Sequence, residues 1–303
     1  MSTLLQHLFN GVTTGCILAL IALGYTMVYG VLKLINFAHS DIFMVGAFMG
    51  YYAAAGLGLA GGGAAFEPLK VMLVFLFAMG ICGLMGFLNE RIAYRPLRYS
   101  NRITSLITAI GVSFLLEFGG QMVFTANYRS FPEIIPKRRV SFLGVEATNY
   151  PLIILVTAFV LMAALSYIVY RTRFGRAMRA VSYSFETASL MGIPTDRVIS
   201  TTFVIGSTLA AAGGVLYALN YGEINPLMGV MPGLKAFVAA VLGGIGIVPG
   251  AMLGGLLIGL TDEFVVVFGL PTSYQSAITF GILILVLLFR PAGLLGKHEP
   301  EKV

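Results

Sequence analysis

Thirteen acidic residues and three histidines are spread thinly along 303 residues, and their spacing decides what chemistry the chain supports. His7, His39 and His298 lie far apart, so no pair has the spacing of metal ligands. The sequence holds no GxSxG, no HExxH and no GxxxxGKS/T, so catalysis is the least supported class. If ATP is used, another chain must bind it, and no cofactor is expected on this one.

Ionisable residues inside apolar runs are the next place to look, because at a helix centre each costs about 2.5–3.5 kcal/mol on insertion scales. Glu117 lies well inside one such run. By default it marks a functional position, the alternative being a carboxylate satisfied inside the bundle or at a subunit contact. Asp262 and Glu263 fall near the end of another run and read as solvated residues at the membrane interface. Glu223 and Asn225 read as part of a polar external turn. A fourth group, Asn36, His39, Ser40 and Asp41, interrupts two apolar runs within KLINFAHSDIF (33–43). That stretch is either a cytoplasmic turn, with which Lys33 agrees, or a segment that dips into the membrane.

The elements that must position these residues are transmembrane helices. Hydrophobic residues make up 58% of the chain and charged ones 11%, with a mean hydropathy of +0.90. The apolar runs suit helices of about 20 residues crossing roughly 30 Å of hydrocarbon. Stretches such as VMLVFLFAMGICGLMGFL (71–88) are apolar on every face, which excludes the alternating strands of a barrel. The expected fold is all-α, a polytopic transmembrane bundle of about eight spans with one or two broken or re-entrant helices, forming one domain over 1–303. Candidate spans are 12–31, 42–59, 71–88, 103–125, 151–170, 201–220, 234–268 and 273–289. Cys16 and Cys82 fall inside these runs and read as buried small hydrophobes. The first run has no basic segment before it and no small-residue cleavage site after it, so it reads as a retained helix.

The net charge of +6 follows topology rather than nucleic-acid binding, since the basic residues sit in short inter-helix segments without aromatic interleaving. Segments 91–102, 171–197 and 290–302 together carry twelve cations, against four in the opposing loop 126–149. The excess places 171–197 and the C-terminus in the cytoplasm. An even number of crossings must then separate them. Because 201–220 and 273–289 supply two, the run 234–268 must supply none or two. Its break is expected in GGIGIVPGAMLGG at Pro249, which removes a backbone donor and restricts Val248 before it. Irregular backbone at such depth is tolerated where it is buried in protein or lines a cavity, so 243–259 and 33–43 are candidates for lining a path. On this reading Asn36, His39, Ser40, Asp41, Glu117, Gly246 and Gly250 are the candidate path residues.

Small residues recur four apart at Gly246, Gly250 and Gly254, at Gly255 and Gly259, and at Ala210, Gly214 and Ala218, a spacing that lets helices approach closely in lipid. The glycine-rich stretch 56–68 reads as a flexible external loop.

The longest polar interruption, RTRFGRAMRAVSYSFETASLMGIPTDR (171–197), contains a segment that suits an amphipathic helix over 176–192, ended by Gly192 before Ile193 and Pro194. Such a helix suits a groove on a soluble partner, the alternative being an anionic lipid surface. Within it, FETASLMG (185–192) resembles the cytoplasmic EAA loop of ABC importer permeases, with Glu186, Thr187, Ala188 and Gly192 at the motif's places. Thr187 departs from its first alanine, and no downstream I-x-L-P follows. More widely, 15–48, GRAMRA (175–180), AAAGGVL (210–216), 243–259 and RPAGLLG (290–296) resemble the branched-chain amino-acid ABC permease family, in particular the smaller of its two permeases.

The resemblance implies a transport subunit of an inner-membrane importer, not an enzyme. It implies pairing with a second permease, most simply as a heterodimer, with two cytoplasmic ATPase subunits that carry ATP and Mg, and with a periplasmic binding protein. It implies that Arg176, Arg179, Glu186, Thr187, Ala188 and Gly192 meet the ATPase. Relatives carry leucine, isoleucine and valine, while others carry urea or short amides. A stand-alone carrier or channel is the reading from a different class.

Overall fold

The structure is a computed structural model that describes residues 2–59, 67–98, 100–142 and 145–296. The stretch 60–66 of the glycine-rich loop, and His298, lie outside the described residues. The helices in chain order are α1 Ser2–Leu32, α2 His39–Gly56, α3 Pro68–Asn89, α4 Arg102–Phe124, α5 Asn149–Arg171, α6 Arg173–Tyr183, α7 Phe185–Leu190, α8 Thr195–Tyr221, α9 Val230–Gly243, α10 Val248–Val267 and α11 Ser273–Phe289. A π turn, Glu90–Tyr94, and a 3-10 turn, Arg95–Leu97, extend α3. Four short strands, β1 Arg129–Ser130, β2 Arg139–Phe142, β3 Val145–Thr148 and β4 Glu223–Ile224, pair as β1–β4 and β2–β3 in the connecting segments.

Among the described residues six helices are long and apolar enough to cross a membrane, namely α1, α3 with its extension, α4, α5, α8 and α10. The all-α bundle is therefore as the composition requires. α1 and α8 are its axis and are buried along most of their length, while α3, α4 and α5 are largely exposed. Leu69, Ile107, Leu115, Met122 and Val156 face outward from those three helices. An apolar exterior around a small-residue interior is what a bilayer solvent demands.

The close contacts are made by glycine. A Cβ on Gly255 or Gly259 of α10 would collide with the backbone of Ala19 or Gly15 on α1. Gly214 of α8 lies against the Phe43 carbonyl of α2, and Gly46 against Ala211. Gly250 and Gly254 meet Gly243 and Ala239, closing α9 and α10 into a hairpin. Cys16 and Cys82 are free and buried.

Pro249 does not form the break in 234–268. The break lies at Gly244–Ile247, where Gly244 (φ 105°) and Gly246 (φ 95°) adopt backbone that favours glycine, and Pro249 instead opens α10. Two antiparallel helices result, as the parity of crossings requires.

The sides of the bundle are mutually consistent. The main-chain N–H groups of Leu294 and Leu295 donate to the carbonyls of Leu242 and Gly243, which puts the tail beside the α9–α10 turn. Arg95 and Arg98 pair with Asp196, which puts the α3–α4 segment on that same side, next to the start of α8. On the opposite side, the Phe131 N–H donates to the Gly222 carbonyl at 2.9 Å, and His7 meets Glu263 at 2.8 Å.

Candidate functional site

Two regions bring the candidate residues together, one inside the bundle and one at its α6–α7 end.

Inside, α1 ends at Leu32 and Lys33 turns the chain back with a φ of 55°. The segment 33–38 dips into the bundle rather than running across its surface. The His39 ring occupies the space beside Gly24, and Gly24 lies eight residues before the end of α1, about 12 Å along its axis. Asp41 accepts a hydrogen bond from Ser113, which is eleven residues into α4, about 16 Å from its start. The polar start of α2 is thus deep in the bundle, away from the ends of α1 and α4.

Asn36, His39, Ser40 and Asp41 are all buried there. The Tyr94 hydroxyl donates to Asn36 Oδ1 at 2.9 Å, and Ser40 Oγ donates to the Phe37 carbonyl at 3.0 Å. Tyr25 meets the His39 ring edge-on at 4.9 Å, and His39 Nε2 has no hydrogen-bond partner among the described residues. Glu117, one turn beyond Ser113 on α4, is half-buried.

The N-terminus of α9 reaches the same place. Gly229 and Gly233 pack on Ser40, so two helices begin inside the bundle, neither with a side-chain cap. The positive dipole ends of both helices thus lie near Ser40, and Asp41 sits in the first turn of α2. Gly246 and Gly250 are elsewhere. Gly246 sits against Gly30 near the end of α1, and Gly250 is buried against Gly243.

At the α6–α7 end, the single helix expected over 176–192 is instead two. Ser184, with φ −155° and ψ 115°, is extended and separates them. Its hydroxyl accepts from the Thr187 N–H at 3.2 Å, capping α7, which favours the break over continuation. The far end of α7 closes in a Schellman turn: the Ile193 N–H donates to the Ala188 carbonyl, the Gly192 N–H to Ser189, and Gly192 has a φ of 78°. Ala188 is buried beneath this turn, while Glu186, Leu190 and Met191 face out. On α6, Arg176 is exposed, and Arg179 donates to the Val169 carbonyl and lies over the Tyr170 ring.

Sequence reasoning missed two features. Asp262 is not a solvated interface residue. It is 7% exposed and holds Lys235 of α9 at 2.7 Å, a lysine whose isolation in an apolar run was a visible signal. The second feature is the ion cluster in which Arg98 pairs with both fully buried Glu90 and Asp196. Asp196 lies in the first turn of α8, four residues after Gly192, so the cluster ties the α6–α7 segment to α3.

The molecule is a helical membrane bundle with a polar break at its centre and an exposed capped turn at one end. A family described as the branched-chain amino acid transport system permease component matches residues 7–287. The high-affinity branched-chain amino acid transport system permease protein BraD of Pseudomonas aeruginosa is 43% identical over 304 residues, 99% of this chain and 98% of that protein. The corresponding LivH protein of Escherichia coli is 43% identical over 303 residues, 99% of this chain and 97% of its own. A probable branched-chain amino acid transport permease protein of Methanocaldococcus jannaschii is 27% identical over 294 residues, covering 92% and 89%. The chain belongs to this family of permeases.

Proposed function

We propose that the chain is the membrane subunit of an ATP-driven ABC importer that moves leucine, isoleucine and valine across the bacterial inner membrane by alternating access. The observation that carries this reading is the 43% identity with two high-affinity branched-chain amino acid permeases over 99% of the chain. Urea or short amides as cargo remain the second reading within the class, and a stand-alone carrier or channel the reading outside it.

The partners are a second permease, two ATPase subunits holding ATP and Mg on the α6–α7 side, and a periplasmic binding protein on the other. Basic-residue distribution supports placing α6–α7 and the C-terminus in the cytoplasm. Arg176, Glu186, Thr187, Ala188 and Gly192 form or frame the surface that meets the ATPase, with Arg179 holding α6 to the end of α5. Motion of α7 would reach the start of α8 through Gly192 and Pro194, and α3 through Asp196, Arg95 and Arg98.

At the centre, Asn36, His39, Ser40, Asp41 and Glu117 would line the path. The two uncapped helix starts there offer partial positive charge to a substrate carboxylate, and Asp41 offers negative charge to its ammonium.

The test is co-purification and uptake. Glu186→Arg and Gly192→Val should release the ATPase and abolish leucine uptake, while the permease keeps its elution volume and thermal transition. If ATPase binding and uptake both survive, the coupling assignment is wrong. If uptake is abolished for neither ATP depletion nor loss of the binding protein, the importer class itself fails.

A further inference from the structure

A cleft of about 480 Å³ lies between the end of α3 with its extension and the start of α8, at the α6–α7 end of the bundle. Its lining follows helical spacing: Phe87, Arg91 and Arg95 on one wall, Arg197, Thr201 and Val204 on the other. Because α3 runs toward this end and α8 away from it, both walls carry arginine at the mouth and an apolar residue at the floor. Val204 lies seven residues beyond Arg197, about 10 Å deeper along α8. Gly83 packs against Thr208 and Val204, and Gly86 against Ser207, so the two helices touch and close the floor. Leu84 and Leu88, both exposed on α3, continue the apolar surface sideways.

The charges at the mouth do not balance. Asp196 also lines the cleft, but Arg95 takes one of its oxygens and Arg98 the other, while Arg98 also holds Glu90. Arg91 and Arg197 are exposed, and neither has a carboxylate partner among the described residues. Four arginines against two carboxylates thus leave two positive charges in surplus, on residues that line opposite walls.

We propose that this cleft binds an anionic phospholipid, its phosphodiester between Arg91 and Arg197 and an acyl chain along Phe87, Val204 and Leu84. Guanidinium groups suit phosphate oxygens, and basic pockets between transmembrane helices suit anionic headgroups. From charged mouth to apolar floor, the lining has the order of groups in a lipid. A free phosphate would use the mouth alone. An acidic protein surface arriving from solution would leave the apolar floor bare. The site does not depend on which cargo the chain carries.

The chain contains no tryptophan, so Leu84→Trp adds a single fluorophore beside the floor without touching the arginines. The test is its quenching in the full-length permease, reconstituted in mixed phosphatidylglycerol and phosphatidylcholine vesicles with one lipid or the other brominated. Phosphatidylglycerol should be favoured about threefold or more at this position, while Leu115→Trp, on the exposed face of α4, should report no preference. Arg91→Gln with Arg197→Gln should bring the preference to parity. Arg91→Lys with Arg197→Lys should keep most of it, which separates loss of charge from loss of fold. Equal quenching by the two lipids, the same preference at Leu115→Trp, or a preference that survives both Gln substitutions overturns the site. If millimolar inorganic phosphate at constant ionic strength erases the preference, the arginines take a free anion and the lipid assignment falls. It falls equally if the Gln substitutions leave quenching unchanged and instead release the ATPase from the assembled transporter.

Discussion

Arg98 shows how much a single side chain can be asked to do at the edge of a membrane. Its guanidinium is shared between Glu90, which is fully buried, and Asp196, which is half-exposed, while Ser200 donates to the other Glu90 oxygen. Arg98→Ala would leave the Glu90 carboxylate buried and unpaired, a loss of about 3–5 kcal/mol for a broken buried pair. Arg98→Ala is therefore expected to lower the thermal midpoint of the purified permease sharply, and Glu90→Gln in the same background to restore much of it. If the single variant melts like the wild type, the cluster is not holding α3 to α8. Charged residues were only partly legible in the sequence. Asn36, His39, Ser40 and Asp41 stood out because four polar side chains within six positions cannot sit comfortably in lipid. Lys235 and Asp262 were separated by 27 positions, and pairing at that distance depends on the α9–α10 hairpin.

At the scale of elements, the exposed turn α7 is defined by its ends rather than by its six residues. Ser184 caps the start and Gly192 takes the left-handed position at the finish. Removing the cap with Ser184→Ala should cost about 1 kcal/mol, and Gly192→Ala about 1–2 kcal/mol for a side chain in left-handed backbone. Cleavage within 184–192 under limited proteolysis is expected to rise several-fold for each and further for the pair, with the transmembrane helices unaffected. Unchanged cleavage rates would show that this exposed turn owes its shape to something other than these caps. The sequence revealed the finish, through Gly192 before Ile193 and Pro194, but not the start. The amphipathic period runs on through 176–192, and only the Ser184 hydroxyl, competing for the Thr187 N–H, divides it. In the same way Pro249 drew attention to a break that two left-handed glycines make a few residues earlier.

For the whole molecule, parity of crossings linked a count of arginines to the shape of an apolar run forty residues away. The contacts agree, since the tail lies beside the α9–α10 turn and Asp196 beside Arg95. With the native cysteines buried, single cysteines at 138 and 184 should label from opposite faces of sealed right-side-out vesicles, 138 from outside and 184 only after permeabilisation. The reverse pattern would invert the bundle and put α6–α7 on the outer face. Glycine spacing announced that Gly255 and Gly259 pack tightly but did not say against what, because Gly11, Gly15 and Ala19 of α1 lie some 240 positions away in sequence. That pairing has a consequence for biogenesis. α1 leaves the ribosome long before α10, yet its tightest groove is reserved for that helix, so α1 must wait in the bilayer, with its small-residue face covered only by lipid or by an insertion chaperone, until α10 is made. Translation order and packing order run against each other here, and the nascent chain is most exposed to quality control during that interval.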